Sequence, residues 1–212
     1  NEANTIGEVV SELKIHGDVL VTDDKSTDDT CSNALLNGAV VITNHTKRGY
    51  EENLNNGYLY AKNNGYRFLV TADADGQHRK EDVKAVIEKL SEGSRLVLTT
   101  RNVFNRKSEF LASLISRVFF GQKDLLSGLK GYDIRWFDIC SFDTKKLIGM
   151  ELAVRYIAQG CKAVSLDIKI NQRKDESRYG YNCKAEMKIL NGILKAVFLF
   201  IKIKYLNSFK EN

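Results

Sequence analysis

A pair of carboxylates separated by one residue is the feature of this sequence that most directly suggests chemistry. Asp73 and Asp75 are followed by Gly76, Gln77 and His78. Side chains at i and i+2 of an extended chain lie on the same side, so these carboxylates repel each other unless a cation or a shared proton lies between them. A hard divalent ion such as Mg²⁺ or Mn²⁺ meets that need, and the Gln77 oxygen and the His78 imidazole lie within reach. Alone, however, so short a pattern is more often a solvated acidic turn.

A second acidic cluster changes that balance. Asp23 and Asp24 close another apolar run, and Ser26, Asp28 and Asp29 follow them. The last three are typical of helix capping and of charge placed at a helix N-terminus. Asp23 and Asp24 precede the cap, where a carboxylate could accept a hydrogen bond from a nucleoside N–H or hydroxyl. Two acidic strand ends favour a functional site over two unrelated turns.

The apolar patterning shows which elements must position these clusters. Helical spacing alternates with short, almost continuously apolar runs, which predicts an α/β domain with a largely parallel, Rossmann-like sheet. Because ligands of such sheets bind beyond the carboxyl ends of the strands, both acidic clusters should face one crevice. The predicted helices span 5–13, 30–36, 50–63, 81–90, 110–120, 150–159 and 186–205, and the predicted strands span 18–24, 39–43, 66–72, 95–100 and 163–170, with 128–136 loop-like or extended.

Composition excludes several classes of protein. The 212 residues are 43% hydrophobic and 28% charged, which is a globular balance, and a net charge of +5 is too small to indicate nucleic-acid binding. Four cysteines without a CxxC pair indicate neither a disulfide framework nor a zinc ribbon, so a reduced, cytoplasmic setting is the simplest interpretation. Charge is unevenly spread: residues 1–30 hold eight acidic and two basic residues, whereas residues 160–212 hold five acidic and eleven basic ones.

Several segments resemble the family 2 glycosyltransferases. Residues 23–30, DDKSTDDT, resemble the family's DDGSTDDT segment, and residues 48–57, RGYEENLNNG, resemble its GYGGNLKTG segment. Residues 72–78, ADADGQH, are similar to the DADGQH segment of the polyprenyl-phosphate glycosyltransferases, which include the dolichol-phosphate mannose synthases. Weaker likeness continues through 127–130, 149–152 and 177–180, so it covers nearly the whole chain. The first and third segments together are specific, whereas either alone would not be.

The resemblance implies a GT-A fold and metal-dependent transfer of a sugar, with inversion, from a UDP- or GDP-sugar to a polyprenyl-phosphate or lipid-linked glycan of the cell envelope. Glu2 and Asp24 would contact the nucleoside. Asp73 and Asp75 would serve the ribose and a bound Mg²⁺ or Mn²⁺, with Gln77 as a further metal ligand. Residues 1–2 resemble the end of the family's first strand, so we expect that strand to lie upstream of residue 1.

Three further side chains are candidates for catalysis or phosphate binding. Arg101 resembles the arginine of the family's SR pair, and Arg178 lies in a late segment that closes over the active site in the family; among other candidate cations is Lys130. Glu151 matches a late acidic motif and would be the general base for a sugar hydroxyl, whereas an anionic lipid phosphate would need no base. A favourable charge at a helix N-terminus explains Glu151 equally well.

The C-terminal region and two departures from the family pattern leave alternatives open. Residues 1–182 are expected to form the GT-A domain, and 183–212 an amphipathic helix whose lysines either bind anionic lipid at the cytoplasmic membrane face or extend from a packed helix. Lys25 replaces a glycine, and Glu51 and Glu52 replace small residues near the donor site. These departures motivate two alternatives: an inactive nucleotide-sugar binding or scaffold module, and a family 2 transferase with a soluble saccharide acceptor.

Overall fold

The computed structural model describes residues 1–44, 46, 49–104, 106–136, 147, 149–171 and 183–208. Helices and strands alternate through most of the chain, as the patterning predicts. The elements are α1 (Ile6–Leu13), β1 (Leu20–Asp23), α2 (Thr30–Leu36), β2 (Val40–Thr43), α3 (Tyr50–Asn63), β3 (Phe68–Thr71), α4 (Lys80–Ser91), β4 (Leu96–Arg101), α5 (Lys107–Phe120), β5 (Lys130–Asp133), α6 (Glu151–Ala158), β6 (Val164–Ile168) and α7 (Cys183–Ser208).

The described strands form a two-stranded and a four-stranded sheet. Strands β1 and β2 pair in parallel, and the larger sheet has the order β3-β5-β4-β6. Strand β5 runs antiparallel to both β3 and β4, whereas β4 and β6 are parallel. The α/β prediction therefore agrees with the structure, but the larger sheet is more mixed than expected because β5 is reversed.

The direction of β5 follows from the path of the chain before it. After α5, the loop returns to the carboxyl end of β4, where the Asp124 carboxylate meets the Arg101 guanidinium at 2.7 Å. A strand that starts at this edge must run against its neighbours, and Lys130 accordingly lies opposite Thr71, the last residue of β3. The same path brings residues 124–130 to the edge where the acidic clusters lie.

Helices cover both faces of the larger sheet. On one face, α4 packs Val86 and Leu90 against the sheet, and a side chain at Gly131 of β5 would overlap both of them. This close approach explains a glycine in the middle of a buried strand. Truncating the fully buried Leu90 to alanine would cost about 2–5 kcal/mol, as is usual for a core leucine.

The last helix, α7, contributes to the core on the other face. Its Ile189, Ile193, Ala196 and Leu199 are buried in the largest hydrophobic cluster, which also contains residues of α5 and α6. The ring of Phe200 packs edge-on against that of Phe120 in α5, with the centroids 5.1 Å apart. Helix α7 thus begins near the predicted boundary but shares the core of the preceding domain. Among the described residues, no helix combines the length and the apolar character needed to cross a bilayer.

Candidate functional site

The first turn of α3 connects the two acidic strand ends. The backbone N–H of Gly49 donates a hydrogen bond to Asp24 Oδ2 at 3.0 Å, and the hydroxyl of the next residue, Tyr50, donates to Asp73 Oδ1 at 3.3 Å. Asn44, which follows β2, donates to Asp24 Oδ1 at 3.4 Å. These contacts bring the two acidic clusters together at the carboxyl ends of β1 and β3, where the sequence predicts a shared crevice.

Asp23 has a structural role in its turn. Its buried carboxylate accepts a hydrogen bond from the Ser26 N–H at 2.9 Å. Burial alone would raise the pKa of Asp23, but hydrogen bonds from Ser26 outweigh it and lower the pKa below the usual range. Lys25, inside this turn, has φ of +62°, so it adopts the strained left-handed conformation for which the family's glycine is suited.

The Asp73 carboxylate is enclosed on three sides. His78 Nε2 lies 3.6 Å from Asp73 Oδ2, and the Asp73 side chain is 38% exposed. A Cβ on Gly128 would overlap this carboxylate, and the Gly128 carbonyl is held by the Thr71 hydroxyl at 2.8 Å. Burial alone would raise the pKa of Asp73. The neighbouring His78 imidazole, the charge of Lys130 and the Tyr50 hydroxyl outweigh burial, so the pKa is lowered overall. Asp73 is therefore held ionised at neutral pH.

The second carboxylate of the pair helps to shape its own turn. Asp75 is buried, and its Oδ1 accepts the Gln77 N–H at 3.1 Å. The Gln77 side-chain amide donates to the carbonyl of Asn171, after β6, at 3.3 Å, and the Thr5 hydroxyl donates to the Ala74 carbonyl at 2.8 Å. The loop of the acidic pair is thus held by Thr5, which directly precedes α1, and by the segment after β6.

Asp73 and Asp75 are the candidate donors for a divalent ion that is shared with phosphate. Among the described residues, no group of three His, Cys, Asp or Glu side chains is arranged to hold a metal. Asp73 and Asp75 supply two carboxylates, and Mg²⁺ is characteristically bound by one or two carboxylates together with substrate phosphates. These residues therefore suit a metal that arrives with a diphosphate better than one held by protein ligands alone.

Glu2 lies beside the Asp23–Asp24 turn through its backbone. Its N–H donates to the Thr30 hydroxyl at 2.7 Å, and its carbonyl accepts the N–H of Ile6 at 2.9 Å. The Ala3 N–H donates to Asp28 Oδ2 at 3.2 Å. These bonds hold residues 1–3 along the start of α2, next to the strand end that carries Asp24.

The Arg101 guanidinium is bound by carboxylates of the protein itself. It makes two bonds to Asp124, of 2.7 and 3.2 Å, and approaches Glu109 at 3.8 Å. Burial would lower the pKa of Arg101, but Asp124 and Glu109 raise it above its usual value. Asp124 in turn accepts the N–H of Ser127 at 3.2 Å, one residue before Gly128. Arg101 therefore supports the loop that contacts Asp73, and direct phosphate binding by it stays a prediction.

A pocket lies beside Asp73, between α3, α6 and the face of the β3–β5 pair. Lys130 and Glu151 both reach it, in a largely apolar and aromatic wall. Lys130 is 3% exposed, and its ammonium donates to the Gly149 carbonyl at 3.2 Å. Burial lowers the pKa of Lys130 to about 8, although Asp73 and Asp124 oppose that change. The lining residues are Tyr50, Glu51, Leu54, Leu69, Thr71, Lys130, Tyr132, Gly149, Glu151 and Leu152.

Glu151 occupies the first position of α6, as both interpretations of it require. Its buried carboxylate accepts bonds from Arg155 Nε and Nη2, at 3.0 and 2.7 Å, both on Oε1. The structure thus gives Glu151 an ion pair as well as a place in the pocket wall. Arg178, the remaining predicted site residue, lies outside the described residues.

Sequence spacing does not reveal the roles that Tyr50, Lys130 and His78 take at this site. Tyr50 carries no signal beyond its place in the RGYEENLNNG segment, and Lys130 is one of several candidate cations. The segment around Lys130 is predicted only as loop-like or extended, so its burial carries no sequence signal. His78 follows the acidic pair, but neither its burial nor its distance to Asp73 follows from sequence spacing.

Comparison with solved structures identifies the fold. The glucosyl-3-phosphoglycerate synthase of Mycobacterium tuberculosis superposes with a TM-score of 0.74 at 18% identity, over 93% of this chain and 76% of that one. The mannosyl-3-phosphoglycerate synthase of Rubrobacter xylanophilus gives 0.71 at 16% identity, over 95% and 71%. The former enzyme has also been crystallised with Mn²⁺, UDP and glucosyl-3-phosphoglycerate. These superpositions show that the chain is an α/β domain of the GT-A type.

The chain belongs to Glycosyl transferase family 2, because the model of that family matches residues 1–147. An uncharacterized glycosyltransferase of M. tuberculosis is 26% identical over 183 residues, or 82% of each chain. An uncharacterized protein of Methanocaldococcus jannaschii is 35% identical over 104 residues, which is 48% of this chain and 43% of that protein. The chain therefore spans less than half the length of this last relative. The family is confirmed, whereas special closeness to the polyprenyl-phosphate subgroup is not shown.

Proposed function

We propose that the protein transfers a sugar from a UDP- or GDP-sugar, with inversion at the anomeric carbon and with Mn²⁺ or Mg²⁺, to an acceptor that is soluble. The observation that carries this proposal is the crevice itself, where Gly49 and Tyr50 link Asp24 at one strand end to Asp73 at the other. Asp24, with Glu2 nearby, would take the nucleoside. Asp73 and Asp75, with Gln77, would hold the ribose and the metal.

The metal, when bound with the diphosphate, supplies a Lewis acid that stabilises negative charge on the departing nucleoside diphosphate. Asp73 suits binding of this metal because its lowered pKa keeps the carboxylate charged at neutral pH. Buried Asp75 is already oriented by the Gln77 N–H, so little side-chain freedom is left to lose on binding.

The pocket beside Asp73 is the proposed acceptor site. Lys130 supplies a buried positive charge there, which favours an acceptor with a phosphate or carboxylate. The two named synthases that share the fold act on phosphoglycerate, a small anionic acceptor, which supports a soluble acceptor over the polyprenyl phosphate first expected. Glu151, oriented by Arg155, is the proposed base for an acceptor hydroxyl. Arg178 is proposed to bind a phosphate of the donor or the acceptor.

A donor and acceptor panel tests this function. UDP-, GDP- and TDP-sugars are incubated with Mn²⁺ and either 3-phosphoglycerate, simple saccharides or a polyprenyl phosphate in detergent, and release of nucleoside diphosphate is measured. We expect turnover with a soluble acceptor that is abolished in Asp75→Ala and retained in Asp167→Ala, a control whose side chain is 79% exposed on β6. Turnover with polyprenyl phosphate and with no soluble acceptor would instead support the lipid acceptor that the sequence predicts. Donor binding without turnover by any acceptor would favour the inactive binding module.

We further propose that a surface of α5 and α7 contacts an anionic membrane. Exposed apolar side chains of α7 recur at helical spacing and fall within an arc of about 60° around its axis. Helix α5 lies alongside, since the Ser108 N–H donates to Glu186 Oε2 at 2.8 Å, and it exposes an apolar face of its own. We call the exposed apolar side chains of the two helices together the α5–α7 face; they are Phe110, Leu111, Leu114, Val118, Met187, Leu194, Phe198, Ile201 and Tyr205.

The charged residues of α7 favour an anionic partner for the α5–α7 face. Lysines form a row about a quarter-turn round α7 from the apolar residues, while the acidic group of this helix, Glu186, is bonded to Ser108. Apolar side chains beside lysines suit the headgroup region of an anionic bilayer. A second copy of the chain would bring like charges into one contact. The row comprises Lys184, Lys188, Lys195 and Lys202.

Vesicle binding tests the α5–α7 face. We expect the protein to co-sediment with phosphatidylcholine vesicles only when they contain phosphatidylglycerol, and Phe198→Ser to lose that binding. Leu36→Ser is the matched control, because Leu36 is 82% exposed on α2. Equal binding by the Phe198→Ser protein would refute the proposal. So would a dimer in analytical ultracentrifugation that Phe198→Ser dissociates, since it would assign the face to a second copy.

A further inference from the structure

His78 is a buried imidazole whose polar atoms are not accounted for by the fold. Its side chain is 5% exposed, and neither ring nitrogen has a hydrogen-bond partner among the described residues. Buried polar side chains in folded proteins nearly always have a partner, because an unsatisfied one costs free energy. A retained, unsatisfied imidazole therefore calls for a reason beyond packing.

The neighbour of the imidazole identifies that reason. Nε2 of His78 lies 3.6 Å from Asp73 Oδ2, just beyond hydrogen-bonding distance. The opposite oxygen, Oδ1, accepts the Tyr50 hydroxyl at 3.3 Å, and the Gly128 backbone closes a third side. A small rotation of the carboxylate would bring Oδ2 into a hydrogen bond with His78.

We propose that His78 is a positioning residue for Asp73, which donates from Nε2 to Oδ2 when a nucleoside diphosphate and its metal occupy the crevice. The inference rests on the proposed function. This bond would fix the orientation of the Asp73 carboxylate from the side away from the crevice. The remaining lone pairs of the carboxylate would then face the crevice. Outer partners of this kind orient ligating groups and commonly change metal affinity by 10- to 100-fold when they are removed.

The position of His78 Nε2, 3.6 Å from Asp73 Oδ2, is the observation that favours a positioning role for the imidazole. No group of three His, Cys, Asp or Glu side chains in the described part of the chain is arranged for a metal, and this includes Asp73, Asp75 and His78. The role also needs only an N–H at one atom, which a glutamine amide can supply at a similar reach. Rescue by glutamine thus separates a polar role of the side chain from the packing of the imidazole ring.

Three variants test the proposal by isothermal titration of UDP and GDP in the presence of Mn²⁺. His78→Phe keeps an aromatic ring without a donor, and we expect the dissociation constant for the metal–nucleotide pair to rise about tenfold or more. His78→Gln should recover most of the affinity. His16→Phe, in the turn after α1, is the matched control and should bind as the unmodified protein does.

Thermal unfolding of the same proteins distinguishes positioning from packing. A role confined to packing would lower the melting temperature of His78→Phe and His78→Gln alike, without a donor-dependent difference in affinity. Equal affinity for Mn²⁺–UDP in both variants and the unmodified protein would overturn the positioning role while leaving the proposed function intact. Failure of the unmodified protein to bind either nucleotide with Mn²⁺ would overturn both.

Discussion

Replacing Lys130 by methionine should stabilise the protein while it impairs acceptor binding. Methionine has a similar length and no charge, so it removes the desolvation of a buried ammonium that is 3% exposed. The pKa of Lys130 falls from its ordinary 10.5 to about 8, chiefly because of burial. At about 1.4 kcal/mol per pKa unit, the charged form is disfavoured by roughly 3 kcal/mol in the folded state. We expect Lys130→Met to gain about 1–3 kcal/mol at neutral pH.

The pH dependence has a definite sign. Between pH 8 and 10.5 the unfolded chain keeps the Lys130 proton that the folded chain has lost, so the stability of the unmodified protein rises with pH in that window. Lys130→Met lacks this rise, so its advantage should shrink from pH 7 to pH 10. Tyr132 and Tyr156, whose pKa values are raised by burial, affect both proteins equally and cancel in the difference.

Urea denaturation at several pH values measures this difference. Lys123→Met is the control, because that side chain is 53% exposed and pairs with Asp167 only at 3.9 Å, so we expect a change within about 0.5 kcal/mol. The Lys130→Met protein should also show a raised KM for the acceptor. A loss of stability above about 1 kcal/mol in Lys130→Met would refute the reasoning. It would mean that the interactions of Lys130 with Asp73, Asp124 and the Gly149 carbonyl stabilise the fold by more than desolvation of the ammonium costs.

Three further substitutions probe the turn, the crevice and the pocket. Lys25→Gly should raise the free energy of unfolding by about 0.5–1 kcal/mol, because it relieves a left-handed residue; an unchanged denaturation midpoint would contradict this. Gly128→Ala should weaken Mn²⁺–UDP binding about tenfold by displacing the Asp73 carboxylate, and calorimetry showing unaltered affinity would count against it. Glu151→Gln should lower kcat about 10²- to 10⁴-fold with little change in KM, whereas a lower melting temperature at unchanged kcat would assign Glu151 only its ion pair with Arg155.

The local parts of the fold were predictable from sequence. The bounds predicted for α2 and α3 match the structure at both ends, because helical periodicity is a local signal. Strand β5 was not separable from a loop, since Lys130–Asp133 is short and reads Lys-Gly-Tyr-Asp. Its burial comes from neighbours on both sides and from α4 above Gly131, which are contacts that no local pattern encodes.

The site divides in the same way. That Asp24 and Asp73 share a crevice follows from the rule that ligands bind at the carboxyl ends of the strands, so it could be expected before any coordinates. The contact of Gly128 with Asp73 could not, because it depends on how the loop after α5 returns to the sheet. The ion pair of Arg101 with Asp124 is a further contact that the sequence does not reveal, and phosphate binding by Arg101 stays a prediction.

The central claim is that Asp75 and a divalent metal together bind a nucleoside diphosphate in this crevice. The direct measurement is the dissociation constant of UDP and of GDP by calorimetry, with Mn²⁺ and with a chelator, for the unmodified protein, Asp75→Ala and the exposed control Asp167→Ala. We predict binding of one of the two nucleotides that requires Mn²⁺, is weakened at least about tenfold in Asp75→Ala and is unchanged in Asp167→Ala. Binding that is independent of Mn²⁺, or that is equal in Asp75→Ala and the unmodified protein, would contradict the claim.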